Sequence, residues 1–461
     1  MTVHADSSWT GHIRATLALG LPLVGSQLAT IGFGVSDSLM LGRLGAEPLA
    51  ASVLGTTLFF VIYITGAGFA QAVAPIVATA IGAGDDVTVR RAVRMGIWAA
   101  LIFSVIAIPL MLNAEAILLA LGQVPELAAL ADSYLQIAAW ALIMNLFHSV
   151  LRSFLAAFER ANIVLYAMLG GLALNILLNY AFIFGNLGAP AMGIRGAAIA
   201  TVGSNLLVSA ILLIYALSLA EIRKYDMFTR FWRPDWSALL DVYRLGWPIS
   251  LTLLAEVSLF ALSSLMLGWL GTMELAAHGI ALQISSVTFM VPLGLSFAST
   301  VRVGRALGRR DIDNLLRASV VVMLIAVAVS IAAAALFLLA PAGLIGLFLD
   351  NDKSDAIQII AYGSTLLAVA ALFQVVDTVQ VVALGLLRGL KDTRVPMLVA
   401  VASYLVFGSG VAYVLGFTLG MGGVGVWLGL ALGLGIAAVL LVWRYVVLLR
   451  HLQAGITPLP S

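Results

Sequence analysis

The stretch LTLLAEVSLFALSSLMLGWLG, Leu251–Gly271, is apolar throughout except for Glu256, and its last eight residues echo an earlier string. SLMLGRLG at 38–45 returns as SLMLGWLG at 264–271, a shift of 226 residues. At the same offset LGLP at 19–22 meets LGWP at 245–248, and IGAGD at 81–85 meets LGRRD at 307–311. Between 17–51 and 243–277, 15 of 35 positions are identical without a gap. The chain is therefore a tandem repeat. Each copy contains an even number of spans, so the copies share one orientation and are related by an axis along the membrane normal. Two pseudo-symmetric bundles with a cleft between them suit alternating access.

The composition places those bundles in a bilayer. Of 461 residues 62% are hydrophobic and 10% charged, against roughly 25% charged in soluble domains. The mean hydropathy is +1.09. Apolar stretches of about 20 residues match a hydrocarbon core of about 30 Å. Twelve are expected, near 16–41, 48–72, 92–113, 133–155, 162–184, 194–218, 245–270, 278–301, 318–342, 358–386, 395–417 and 424–447. The expected fold is all-α integral membrane, twelve transmembrane helices in two six-helix bundles. Bundles at 1–220 and 245–461 flank a polar linker at 221–244. With both termini inside, 21 of the 24 Lys and Arg fall in inner segments, and only Arg43, Arg195 and Lys353 fall outside. That bias predicts cytoplasmic termini. The opening MTVHADSSWTGHIRAT lacks the apolar core of a signal peptide, so the first span is expected to act as an uncleaved insertion signal. A net charge of +2 gives no case for nucleic-acid binding, and the absence of cysteine removes disulfides and thiolate chemistry.

Three acids lie inside spans: Asp37 in the first, Glu256 in the seventh and Asp377 in the tenth. Intramembrane carboxylates are costly, face the bundle interior and mark ion or proton pathways, or else serve as buried hydrogen bonders. In the fifth span Asn175 and Asn179 share one helix face at i, i+4 spacing. With an aspartate they could supply hard oxygen ligands to a small cation or hydrogen-bond between packed spans. The repeat offset sets Asp37 against Ser263 and Glu256 against Thr30. The two acids are thus not symmetry mates. They lie seven residues apart on equivalent helices, about 10 Å in depth. His148 is a lone histidine suited to helix packing. Phe289, Met290 and Phe373 are candidates to line a lipophilic substrate pocket. Pro22, Pro248 and Pro292 are the expected kink sites.

These features resemble the multidrug and toxic compound extrusion (MATE) family, in particular its NorM-type bacterial branch. The resemblance runs through LGLP…SLMLGRLG, GWPISLTLLAEVSLFALSSLMLGWLG, ALQISS…VPLGLSFASTVRVGRALG and QVVALGLLRGLKDTRVPM. It implies a cation-coupled antiporter, driven by Na⁺ or H⁺, that exports amphipathic, often cationic organic compounds. It further implies a monomer in the bacterial cytoplasmic membrane, with no cofactor beyond the coupling ion. Glu256 and Asp377 match the family's cation-coupling acids, and would be the Na⁺ ligands of a sodium-coupled member. Asp37, Asn175 and Asn179 match the polar centre of the other lobe, where Asp37 would also meet substrate. Some relatives carry a tyrosine four residues before the tenth-span acid. Here that position is Phe373, so one phenolic ligand is missing and the choice between Na⁺ and H⁺ stays open.

Other readings fit less well. A lipid-linked precursor flippase of the same superfamily would place basic residues in its cavity, whereas the intramembrane charges read from the sequence are acidic. An integral membrane enzyme would need a catalytic motif, and HExxH, GxSxG and DDxxD are all absent. A passive channel would not need paired bundles carrying buried acids.

Overall fold

A computed structural model describes residues 8–227, 231–348 and 356–455; Arg230 and Lys353 of the charge pattern lie outside them. The described residues form helices and no strand. In lipid each backbone N–H and C=O must be satisfied within its own segment, which a helix does and an open strand does not. The spans are α1 (Trp9–Gly42), α2 (Ala46–Ala83), α3 (Asp86–Met111), α4 (Pro125–Ala138 continued by Ala141–Ala157), α5 (Ala161–Phe184), α6 (Ile194–Ser218), α7 (Trp236–Leu270), α8 (Thr272–Gly308), α9 (Ile312–Leu339), α10 (Ala356–Gly389), α11 (Arg394–Thr418) and α12 (Gly422–Gln453). Eleven are single helices long and apolar enough to cross a membrane; α4 is bent by 50° at its break. Within α11 two segments, Ala402–Gly408 and Val414–Thr418, are π-helical. Helix α7 starts at Trp236, ahead of the expected span start at 245, because residues 236–244 extend the span as helix on its polar side. Pro22, Pro248 and Pro292 lie inside α1, α7 and α8.

The chain packs as two compact units, Met1–Val24 with Leu251–Ser461, and Gly25–Ser250. The divisions fall inside α1 and α7, two residues after Pro22 and Pro248. The first half of α1 therefore packs with the second repeat, and the first half of α7 with the first repeat. The 226-residue offset reappears in this packing. Within one unit a Cβ on Gly294 of α8 would lie 2.7 Å from the Val24 Cα; within the other, a Cβ on Gly68 of α2 would lie 2.5 Å from the Ser250 backbone N. Both pairs are repeat mates, and both crossings bring backbone against backbone. A methyl group has nowhere to go in either. Gly68→Ala and Gly294→Ala should each destabilise by roughly 1–3 kcal/mol through overpacking, read as a lowered melting temperature of the solubilised protein.

The polar ends of the helices repeat as well. Asp85 caps α3 by accepting from the Thr88 backbone N, and Asp311 caps α9 by accepting from that of Asn314, both at 3.0 Å. Arg91 and its repeat mate Arg317 each secure the start of a first helix, but with different chemistry. Arg91 donates to the Asp235 carboxylate at 2.9 Å, whereas Arg317 sits 5.9 Å from the ring centre of Trp9, the repeat mate of Asp235. The Arg91 bonds, helped by the Ala238 backbone N–H and the Ser237 hydroxyl, hold the Asp235 carboxyl below the usual carboxylate range. A depressed carboxyl contributes stability above its unfolded value of about 4 and loses it as pH falls through the folded value. Arg91 is 37% exposed, which limits the contribution to less than about 1 kcal/mol. Asp235→Asn should therefore lower the melting temperature slightly at neutral pH. The gap from wild type should shrink below about pH 4.

Candidate functional site

Each unit holds its own polar centre within apolar helices. In Gly25–Ser250, α1 contributes Asp37 and α5 contributes Asn175 and Asn179. The i, i+4 spacing puts both amides on one buried face, each 0% exposed. Asn179 Nδ2 donates to Asp37 Oδ1 at 2.6 Å and to Asn175 Oδ1 at 3.2 Å. Two further groups complete the cluster. Thr201 of α6 reaches the Asp37 carboxyl, and Tyr134 of α4 reaches Thr201. Asn175 also lies within reach of the Asp37 carboxyl, and among the described residues Asn179 Oδ1 is buried without a partner. This leaves one acceptor at a centre whose carboxylate already accepts a short amide bond.

Sequence reading missed Tyr134 and Thr201. A neutral hydroxyl in a span gives no charge signal, and a helical threonine usually bonds its own preceding turn, as Thr201 also does to the Ala197 carbonyl at 3.0 Å. Only the packing of α4 and α6 against α1 brings them to Asp37. His148 is buried on α4, 5% exposed. Neighbouring Arg152 donates to the Gln27 Oε1 at 2.9 Å.

In the other unit α7 contributes half-buried Glu256, and α10 contributes Asp377, 2% exposed. The two acids lie within electrostatic reach of each other. Among the described residues Asp377 Oδ1 has no hydrogen-bond partner, nor has either amide atom of Gln374 or the Oε1 of Gln380. These three residues lie at i, i+3 and i+6 along one side of α10. Gln380 donates through Nε2 to the hydroxyl of Tyr404, which sits fully buried in the first π-helical segment of α11. π-Turns often reposition side chains at functional sites. The charge pattern assigns Arg388 to a cytoplasmic segment; the structure keeps it in the last turn of α10, 8% exposed and within electrostatic reach of Glu256. Gln374, Gln380, Tyr404 and Arg388 are thus additions to the pair read from the sequence.

Phe373 is buried in an aromatic chain, its ring centre 6.0 Å from that of Phe260 and 5.4 Å from that of Trp427. Trp427 in turn donates to His278 Nδ1 at 3.1 Å. Phe289 and Met290 on α8 are half-buried, and Phe289 packs against the core of its unit. Among the described residues no three His, Asp or Glu side chains gather as a metal-binding group. The centre at Glu256 and Asp377 is a two-carboxylate site, suited to a proton or a weakly held monovalent ion.

Comparison with known proteins bears on the fold and its two repeats. The MatE family model matches residues 22–181 and 248–414, one stretch in each repeat. A protein of Rhizobium meliloti named "Probable multidrug resistance protein NorM" is 49% identical over 98% of this chain and 97% of its own length. One of the same name from Agrobacterium fabrum is 48% identical over 97% of this chain and 96% of its own. Among solved structures, a MATE protein crystallised in a bent conformation is similar in fold, with a TM-score of 0.87 at 23% identity over 97% of this chain and 99% of that one.

Proposed function

We propose, from the premise that this chain belongs to the MatE family, that it is a multidrug efflux transporter working as a cation-coupled antiporter. Its substrates are small amphipathic organic compounds, often cationic, and Na⁺ or H⁺ drives their export. The observation that carries the coupling is the acid pair, half-buried Glu256 and buried Asp377, in which Asp377 Oδ1 has no donor among the described residues. A carboxylate so placed costs several kcal/mol unless a cation or proton neutralises it. The centre therefore alternates between holding a coupling ion and losing it. Exchange follows if ion and substrate favour different facings of the transporter, since each shifts the equilibrium only by its differential affinity for the two states. Asp37 with Asn175 and Asn179 forms a second centre, where a cationic substrate meets the carboxylate. Phe289 and Met290 supply apolar surface on the substrate's path, while Phe373, buried against Phe260 and Trp427, backs the helix face rather than lining that path.

The decisive test is uptake of a fluorescent lipophilic cation such as ethidium into proteoliposomes under separately imposed Na⁺ and H⁺ gradients. Transport driven by at least one gradient supports the antiport; transport indifferent to both overturns it.

The protein is taken to act as a monomer in the bacterial cytoplasmic membrane with both termini inside. Arg90, Arg309 and Lys391 then face the cytoplasm. Since the chain has no cysteine, single-cysteine variants at these three positions should resist a membrane-impermeant thiol reagent in intact cells. They should label once the cells are opened; labelling of all three from outside would reverse the topology.

A further inference from the structure

In the unit that holds Leu251–Ser461, five side chains from four helices close a ring one turn from the acid pair. The indole N–H of Trp427 on α12 donates to Nδ1 of His278 on α8 at 3.1 Å. An indole nitrogen can only donate, so Nδ1 is the bare nitrogen and Nε2 carries the hydrogen. Nε2 donates to the Ser264 hydroxyl of α7 at 3.0 Å, and that hydroxyl donates to the Phe260 carbonyl, also at 3.0 Å. Aromatic contacts complete the circuit: Trp427 meets Phe373 of α10 edge to face, and Phe373 meets Phe260 in the same way. Trp427, His278 and Phe373 are 0%, 1% and 2% exposed. Phe260 follows Glu256 by four residues on α7, and Phe373 precedes Asp377 by four on α10. Four residues rise about 6 Å and return to the same side of a helix to within about 40°. Spans seven and ten run in opposite directions, so both rings lie on the same side of the acids. Helix α10 packs against both α8 and α12, and the ring ties α7 to that group.

We infer that His278 is a positioning residue for the Glu256–Asp377 centre: as the neutral link of this ring it fixes α7 against α10, and with them the spacing of the two carboxylates. It acts through Ser264 on one side and through Trp427 and Phe373 on the other. An imidazole is suited to the place because it accepts at one nitrogen and donates at the other. An apolar side chain of similar size would fill the space but leave the buried indole N–H without an acceptor, a desolvation cost with no return. Edge-to-face contacts then hold the rings in one relative orientation, so the bond at Trp427 is felt at Phe373. A binding constellation keeps its affinity only if its groups are held to about 0.5 Å, and one turn of rigid helix separates each ring from its acid. The inference rests on the coupling role proposed for the acid pair.

A purely structural histidine would only stabilise the unit. Its loss would lower the melting temperature and the active fraction, and leave helix spacing and ion affinity alone. Two readouts separate the cases. The chain has no cysteine, so spin labels can be placed at Leu265→Cys on α7 and Ile357→Cys on α10, both exposed, at 50% and 78%. Their distance distribution in the solubilised protein should shift or broaden in His278→Ala and in Trp427→Phe, which keeps a ring but loses the N–H. His278→Asn, whose amide oxygen can accept from Trp427, should restore it. In proteoliposomes the half-saturating concentration of the driving ion for ethidium transport should rise about tenfold or more in His278→Ala and Trp427→Phe. The half-saturating ethidium concentration should stay unchanged, and His278→Asn should recover most of the ion affinity. Unmoved distances, or an unmoved ion half-saturation with only the maximal rate reduced, overturn the assignment. If His278→Ala does not fold, Trp427→Phe and His278→Asn decide: the first displaced and the second near wild type supports the ring, and equal behaviour of the two overturns it. Wild-type transport indifferent to both ion gradients would instead defeat the coupling role, while the label distances still decide whether His278 fixes α7 against α10.

Discussion

Glu256→Gln and Asp377→Asn should each give a folded, inserted protein whose gradient-driven export of ethidium falls to the level of protein-free liposomes. The amides keep nearly the shape of the acids but cannot carry the charge that binds a cation or releases a proton. Folding should survive, since the neutral amide removes the cost of a buried carboxylate rather than adding one. Glu256 is half-buried rather than enclosed. A structural role predicts the reverse, intact transport with lowered stability. The measurement is a pair: melting temperature of the solubilised variant, and initial uptake rate in proteoliposomes of known orientation. Wild-type rates in both variants would reduce the acids to packing elements.

Asp37→Asn should cost export of a cationic substrate at least about tenfold, equivalent to about 1.4 kcal/mol in binding, by a route separate from the first pair. Its carboxylate is joined to Asn179 at 2.6 Å, and its partners lie wholly within Gly25–Ser250. Glu256 and Asp377 lie wholly within the other unit. Groups with no shared partners contribute additively. The check is the pH dependence of ethidium binding in wild type, both single variants and the double variant. Asp37→Asn should shift the profile equally with and without Glu256→Gln. A large non-additive term would merge the two centres into one.

Much of this protein was legible in one dimension because the bilayer simplifies the physics. A segment that must satisfy its own backbone in hydrocarbon announces itself by length and apolarity, so the spans followed from the sequence, and the tandem repeat followed from SLMLGRLG and SLMLGWLG alone. A carboxylate inside such a segment is rare enough to be read as functional wherever it stands, which singled out Asp37, Glu256 and Asp377. The i, i+4 spacing of Asn175 and Asn179 put them on one face without any structure.

Tertiary structure decided what touches what. Tyr134 and Thr201 reach the Asp37 centre from α4 and α6, and Tyr404 meets Gln380 from a π-helical turn; hydroxyls and amides are compatible with apolar spans, so no pattern distinguishes them before packing. Arg388 looked like one more loop cation, since its sequence position at a span end is the same whether the guanidinium points to water or back along its helix. The exchange of half-helices at Pro22 and Pro248 was equally hidden. Hydropathy records how deep a residue lies in the membrane, and the repeat offset records which positions correspond. Neither records which neighbour a helix packs against, because that is set by close backbone approach at positions such as Gly68 and Gly294, and those glycines look like any others until the facing helix is known.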